Sequence, residues 1–218
     1  VLLKAFALRR VDQNRAVMTE LVDRKVDAFV GVGRADLVAD LTEPYPMEVL
    51  CRLIGVPTAD LERFVFAARE MHLMAEVPMA PGFDRIDAAL RAMRDYVVEL
   101  VELRRRDPQD DLLTGVVEAE HTEGRLTEAE LVGNMINVLF AGGGTTRFQL
   151  ASALRLAIEH DLWERLAADA TLIPNFVEES MRYRPVTQFV VRSPDDDVVI
   201  GDHLFPARRR IILNLEAA

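Results

Sequence analysis

The chain has 218 residues, of which 50% are hydrophobic and 28% charged, and its formal net charge is −10 at pH 7. This composition is typical of a globular protein, with room for one domain or at most two small ones. The negative charge argues against nucleic-acid binding. No apolar run reaches the roughly 18 residues of a transmembrane helix, so we expect no membrane partner either. Because the sequence begins at Val1 and stops in an apolar run at Ala218, we expect both ends to be cut.

The single cysteine, Cys51, excludes an internal disulfide and a cysteine-rich zinc site, and it fits a reducing, cytoplasmic setting. The four histidines form no i, i+4 pair, so the sequence predicts no metal site of its own. The basic clusters 104–106 and 208–210 are interpreted as solvated ends of helices or strands.

Apolar residues recur at helical spacing over most of the chain. They predict helices over residues 11–30, 46–54, 58 to about 75, 84–105, 110–120, 127–160, 161–168 and 171–183. Thr58 is the expected N-cap of the third helix, and residues 77–83 are expected to form a loop. Thr127 and Glu130 have the spacing of a capping box, which predicts the start of the longest helix.

Beyond Pro185 the pattern changes to short runs rich in valine and isoleucine. These runs predict strands over residues 187–192, 198–200, 204–205 and 211–215. The predicted fold is therefore mainly α with a small β-sheet near the C-terminal end. We expect a single partial domain over 1–218, mostly helical over 1–185 and β-rich over 186–218.

A glycine triplet, Gly142 to Gly144, lies inside the longest predicted helix and is followed by Thr145 and Thr146. We expect this helix to be continuous, with a distortion at Ala141 to Thr145. Three glycines in a helix cost roughly 2–3 kcal/mol relative to alanine. Two explanations remain open: a groove that admits a flat ligand beside a threonine hydroxyl, or a tight crossing of two helices. The segment lacks the lysine and the preceding strand of a P-loop.

Two further features are open to alternative interpretations. Glu179 and Arg182 lie three residues apart and can pair, either on the surface or as a buried charged framework. Arg192 ends an apolar strand, where it is either solvated or directed at a carboxylate beside an apolar pocket.

Together these features resemble the bacterial, soluble cytochromes P-450. Residues 131–154 resemble the long distal helix of that family, whose usual core is A-G-x-D/E-T-T. Residues 177–207 resemble the E-x-x-R helix and the strands after it, and residues 41–57 resemble a proline-bounded helix ending in L-x-G-V-P. The match extends over essentially the whole chain in the family's order.

The resemblance implies a mainly helical cytochrome P-450 fold, haem b as cofactor and a role for several residues. Ala141 and Gly142 would lie over the distal face of the haem, and Thr145 would contact it and act as the catalytic alcohol in proton delivery. Arg192 would bind a haem propionate. Glu179 and Arg182 would support the cysteine loop, and we expect both to be largely buried and hydrogen-bonded to each other. Five residues would line the substrate pocket: Thr187, Gln188, Phe189, Val190 and Val191.

The implied reaction is monooxygenation. One atom of dioxygen enters a small organic substrate, with electrons from NAD(P)H delivered through a ferredoxin or flavin-type partner.

The sequence also departs from the family. The acid before the threonine is Gly144, and the I-P-A-G turn reads Phe205-Pro206-Ala207-Arg208. The family's cysteine loop is absent, and Cys51 lies in a helical run that offers nothing to lower its pKa. We therefore expect no axial metal ligand in these 218 residues and an inactive fragment of a monooxygenase. The alternative is a non-catalytic helical binding protein that keeps the fold without the iron.

Overall fold

The structure is a computed structural model in which residues 14–71, 82–123 and 126–217 are described. The contacts of the chain divide it into two compact units, residues 1–147 and 148–218, with the boundary inside the longest helix. Helices make up most of the described residues and the strands follow Pro185, so the predicted fold class is confirmed.

The first unit contains six α-helices in the described ranges, the last of which continues into the second unit. They are α1 Arg15–Val30, α2 Pro44–Ile54, α3 Leu61–Met71, α4 Phe83–Arg106, α5 Leu112–Glu123 and α6 Glu128–Glu159. A π-helical turn, Val38–Thr42, precedes α2, and a 3₁₀ turn, Thr58–Asp60, precedes α3. The sequence did not predict the π-helical turn. Thr58 is the first residue of the 3₁₀ turn and not the N-cap of a helix.

The second unit contains two short helices and four strands after the end of α6. They are α7 Trp163–Ala168, α8 Ile173–Tyr183, β1 Phe189–Arg192, β2 Val198–Ile200, β3 His203–Phe205 and β4 Ile211–Asn214. A 3₁₀ turn, Ala170–Leu172, leads into α8. Strands β1 and β4 pair antiparallel, as do β2 and β3, so these residues form two separate two-stranded ladders.

The predicted helices at 46–54, 84–105 and 127–160 each lie within two residues of an observed one. The predicted strand at 187–192 begins two residues late, at Phe189. The first 13 residues and most of the predicted loop at 77–83 lie outside the described residues. No helix in the described ranges combines the length and the apolar composition that crossing a bilayer requires.

The core of the first unit is built from the apolar stripes of its helices. Helix α4 buries Met93, Val97 and Val101 along one face, at the i, i+4 spacing that places side chains on the same side of a helix. The same cluster contains Leu50 and Cys51 of α2. Burial of these stripes is the main favourable term for folding of the unit, at about 25 cal/mol per Å² of apolar surface.

The end of α2 is fixed by a buried polar cluster around Gly55. Gly55 has a φ of 96° and caps α2 in the left-handed conformation. Its carbonyl accepts a hydrogen bond of 2.6 Å from Arg104 Nη2, and Arg104 Nε donates to Asp111 Oδ2 at 2.5 Å. A Cβ at position 55 would overlap the Asp111 carboxylate. Glycine is therefore required here both by the backbone angle and by the charged pair packed against it.

The interpretation of residues 104–106 as a solvated end of a helix or strand is wrong for Arg104. Its side chain is 9% exposed and paired with Asp111, which is 6% exposed, so it is not part of a solvated helix end. Asp111 also accepts a hydrogen bond from the Thr114 N–H at 2.8 Å. A run of three arginines gives no sign that its first member turns inward, since that depends on the partner supplied seven residues later.

The start of α6 follows the predicted capping box. The Glu130 N–H donates to Thr127 Oγ1 at 3.3 Å, and the Thr127 N–H donates to Glu130 Oε2 at 2.8 Å. These bonds lower the pKa of Glu130 below its ordinary value, because the carboxylate accepts from the backbone and the hydroxyl of Thr127.

Replacing Arg104 should destabilise the first unit strongly. Arg104→Ala leaves the Asp111 carboxylate buried without its counter-charge, which costs about 3–5 kcal/mol. The measurement is the free energy of unfolding from urea titration followed by circular dichroism. Arg91→Ala is the matched control, because Arg91 forms an exposed i, i+4 pair with Asp87 on the same helix. Similar urea midpoints for the two variants would contradict this account of Arg104.

Candidate functional site

The glycine triplet lies inside α6, which remains α-helical from Glu128 to Glu159. The predicted single long helix is therefore confirmed, and the expected distortion at Ala141 to Thr145 does not interrupt it. The Thr145 hydroxyl donates a hydrogen bond of 2.7 Å to the Ala141 carbonyl. This bond within the helix fixes the hydroxyl and leaves its oxygen lone pairs available as acceptors.

Gly142 lies where α6 packs against α2. A Cβ at this position would come within 3.1 Å of Leu50 Cδ2 and 3.2 Å of Leu50 Cδ1, closer than ordinary contact. Of the two explanations left open by the sequence, a tight helix crossing therefore accounts for this glycine in the described structure. Gly142 is half-buried, and Gly143 and Gly144 are buried.

Part of the surface of α6 near the glycine triplet is exposed. Gly133, Asn137, Ala141 and Thr145 are all exposed and recur every four residues, so they share one helix face. Ala141 and Thr145 are thus neighbours on this face, where they are joined by the hydrogen bond described above. Their small side chains project little from the helix backbone. A flat molecule can approach the backbone of α6 closely along it.

Glu179 and Arg182 are paired as predicted, on α8. Arg182 donates from Nε and Nη2 to the two carboxylate oxygens of Glu179, both at 2.7 Å. These bonds lower the pKa of Glu179 and raise that of Arg182, and the opposite charge of each partner acts in the same direction. The prediction that both would be largely buried is wrong: the side chains are 57% and 65% exposed. None of the described residues covers them, so the pair is a solvated one here.

The five residues predicted to line a pocket lie before and within β1. Thr187 and Gln188 precede the strand and are exposed, and the Gln188 carbonyl accepts from the Leu215 N–H at 2.8 Å. Phe189 and Val191 are exposed, and Val190 is half-buried. Their side chains alternate along β1 while its backbone is paired with β4. Arg192 ends the strand in an exposed position, with Nη1 donating to the Val191 carbonyl at 3.0 Å.

Cys51 is buried in the core of the first unit. Burial raises its pKa to about 12, and the negative charge of Glu48 acts in the same direction. A thiol in this environment stays protonated at neutral pH, whereas an axial ligand must be a thiolate. Among the residues that the structure describes, no cluster of three or more histidine, cysteine or acidic side chains could hold a metal ion.

Comparison with known proteins identifies the family of this arrangement. No protein-family model matches the sequence. The chain is similar to the nocardicin C N-oxygenase of Nocardia uniformis subsp. tsuyamanensis, with 34% identity over 99% of this chain and 54% of that relative. It is 31% identical to a cytochrome P-450 of Xylella fastidiosa, over 100% of this chain and 55% of the relative.

A solved structure gives the same answer for the fold. The ligand-free cytochrome P-450 monooxygenase TamI matches with a TM-score of 0.81 and 30% identity, over 99% of this chain and 52% of that one. The chain belongs to the cytochrome P-450 family. It spans about half the length of the curated relatives it matches.

The residues that the family would place near a haem can be compared with that cofactor one unit at a time. Ala141 and Thr145 offer a shallow, exposed helix face, and Arg192 offers an exposed guanidinium. Cys51, the only cysteine of the 218 residues, is unsuitable as the thiolate because it is buried with a raised pKa. The 218 residues therefore offer no cysteine that is suited to be the thiolate ligand of a haem.

Sequence reasoning missed a groove between α3 and α4, lined in part by Phe66 and Ala92. The signal was present in the alanines at 88, 89 and 92, whose spacing marks a strip of small side chains on one helix. Nothing in the sequence alone showed that α3 would lie beside that strip.

The free energy of unfolding should fall as the pH rises above the ordinary pKa of a thiol, because Cys51 is buried in the folded chain. Its pKa is raised in the folded state from an ordinary value of about 9, so above that pH the unfolded chain loses a proton that the folded chain keeps. The free energy of unfolding should therefore fall by up to about 1.4 kcal/mol per pH unit between pH 9 and 10. Urea titrations across this range should show a shallower slope for Cys51→Ala. Equal slopes in the two proteins would contradict the burial of the thiol.

Arg182→Gln should raise the pKa of Glu179 back toward its ordinary value, because the two charged hydrogen bonds are lost. The measurement is an NMR titration of the Glu179 side-chain carboxyl carbon. Arg165→Gln serves as the control, since Arg165 is also exposed on a short helix of this unit. An unchanged titration in Arg182→Gln would show that the pair does not persist in solution.

Proposed function

We propose that this chain is part of a cytoplasmic, haem-dependent monooxygenase. The reaction inserts one atom of dioxygen into a small organic substrate, with electrons from NAD(P)H delivered by a ferredoxin or flavin-type partner. The observation that carries the proposal is the likeness to named oxygenases over nearly the whole chain, including the helix that bears Ala141 and Thr145. The lone, reduced Cys51 is compatible with the cytoplasm.

In this proposal the open face of α6 lies toward the haem. Ala141 and Gly142 contribute the part of the backbone that a flat macrocycle can approach. The support is direct for Ala141, which is exposed, and weaker for Gly142, whose missing side chain is already explained by Leu50. Arg192 neutralises a propionate, because a guanidinium pairs well with a carboxylate at the edge of an apolar site.

Thr145 is the proposed catalytic residue. Since its hydroxyl hydrogen is held by the Ala141 carbonyl, the oxygen faces solvent as an acceptor and can order a water molecule. Gly144 adds no competing side chain, so water can occupy the position where the family carries an acid. The residues from Thr187 to Val191 are proposed to contact substrate through their exposed side chains.

The haem, when bound through a cysteine thiolate, supplies the oxygen-activating chemistry. We assign none of that chemistry to Cys51. We also propose that none of these 218 residues is the thiolate ligand of the haem. Glu179 and Arg182 are proposed to form a charged framework beneath the segment that would carry the ligand. The two hydrogen bonds between the side chains support this proposal, because they hold the pair in one fixed geometry.

A second candidate is a non-catalytic helical binding protein that keeps the cytochrome P-450 fold without iron. The observation that favours it is Gly144, which removes the acid of the usual acid–alcohol pair.

Haem ligation separates the two candidates. The gene product that contains these 218 residues is expressed, reduced and treated with carbon monoxide, and its difference spectrum is recorded. The monooxygenase proposal predicts a Soret band typical of thiolate ligation. Absence of haem from a folded product would favour the binding protein.

Thr145→Ala in that haem-loaded protein should divert electrons from product into hydrogen peroxide. The reason is that Thr145 is the protic side chain on the open face of α6 next to the position lacking the acid. The measurement is product formed per NAD(P)H consumed, and we expect it to drop several-fold. Thr146→Ala is the matched control, because this neighbouring threonine is also exposed but lies about 100° further around the helix axis. Good coupling in both variants would show that Thr145 does not have the proposed role.

A further inference from the structure

A groove of about 520 Å³ lies between α3 and α4 in the first unit. Helix α4 lines it with Ala88, Ala89 and Ala92, and α3 contributes Phe64 and Phe66. The volume falls in the range of roughly 300–1,000 Å³ that is typical of small-molecule sites.

Phe66 gives the groove an unburied aromatic wall. This side chain is 67% exposed although it lies on a helix whose other phenylalanine, Phe64, is 1% exposed. An exposed ring beside a row of alanines leaves apolar surface in contact with water, and covering that surface is favourable by about 25 cal/mol per Å². The alanines offer no bulk that would keep a flat molecule away from the helix.

At one end of the groove the charges are matched internally. Arg85 donates from Nε and Nη2 to the two oxygens of Glu70, both at 2.7 Å. This fork-shaped pair lowers the pKa of Glu70, so its carboxylate stays charged and engaged. A charged ligand would have to compete with this pair for one of its members.

At the other end the polar groups are matched as well. The Arg63 guanidinium lies 5.1 Å from the centre of the Tyr96 ring, and its Nη1 is 3.9 Å from Glu99 Oε2. The Tyr96 hydroxyl donates to Asp60 Oδ2 at 3.0 Å. Each polar group at this end therefore has a protein partner, and what remains between the two ends is apolar.

We propose that the groove between α3 and α4 binds an uncharged, largely planar apolar molecule of two or three rings. Planarity follows from the strip of alanines facing an exposed phenylalanine, where a ring system gains both apolar burial and aromatic contact. Neutrality follows from the internally matched charges at both ends. The site uses only residues of the first unit and does not depend on the proposed monooxygenase function.

Two fluorescent probes test the charge requirement on the 218-residue chain without haem. N-phenyl-1-naphthylamine is neutral, and 8-anilinonaphthalene-1-sulfonate has the same ring system with one added sulfonate. We expect saturable fluorescence enhancement with the neutral probe and at least ten-fold weaker affinity for the sulfonate. Tighter binding of the sulfonate would overturn the proposal.

Filling the groove tests the location. Ala92→Phe places a ring on the exposed strip of α4 and should weaken the neutral probe at least ten-fold. Ala153→Phe is the matched control, because Ala153 lines a different apolar groove, in the second unit, together with Leu150 and Trp163. Unchanged affinity in Ala92→Phe, or loss of binding only in Ala153→Phe, would overturn the proposal.

Removing the aromatic wall gives a second, independent variant. Phe66→Ala should weaken the neutral probe several-fold, and because Phe66 is exposed this change leaves the core intact. Phe83→Ala is its control, since Phe83 is 61% exposed on α4 but does not line the groove. Circular dichroism of all four variants is the control for folding, and we expect an unchanged helix content. Equal affinities for the Phe66→Ala and Phe83→Ala variants would overturn the assignment of Phe66.

Discussion

The buried contact of Arg104 with Asp111 and Gly55 determines how the helices of the first unit meet. One guanidinium joins the end of α2, the end of α4 and the residues that begin α5. A buried charge is tolerated only when its hydrogen bonds are satisfied, so these three ends cannot move independently. With the end of α2 fixed, Leu50 on the same helix is held against Gly142. The contact thereby determines which face of α6 is packed and which remains open with Ala141 and Thr145.

The second unit is held together differently. Ser180 is the one fully buried residue of α8, and most apolar side chains of the two β-ladders are exposed, among them Val199, Leu204 and Ile212. Backbone pairing and short local contacts therefore maintain this unit more than a shared core does. Apolar surface of this extent marks places where other protein or ligand surface can pack. The Glu179–Arg182 pair lies on the same unit and is exposed, which the motif alone could not show.

Cys51 and Thr145 differ in their exposure to solvent, and this difference decides what each side chain can do. Cys51 is the only thiol of the chain, but its place in the core raises its pKa and removes it from any ligand role. Thr145 is a weak acid in any environment, yet its exposure and its bond to Ala141 leave it able to organise water. The proposed function rests on this difference, and the groove between α3 and α4 is a separate consequence of small residues on α4.

Local periodicity, capping residues and the order of motifs were enough to predict most of the helices, the four strands and the family from the sequence. The capping box of Thr127 and Glu130 formed as predicted since both partners lie within one turn. The sequence could not decide the burial of Arg104, the exposure of Glu179 and Arg182, or the reason for Gly142. Each of these depends on whether a residue outside the local helical pattern packs against the side chain. Local sequence patterns carry no information about such contacts. Only the tertiary structure brings Leu50 to Gly142 and Asp111 to Arg104, and so decides which side chains meet water.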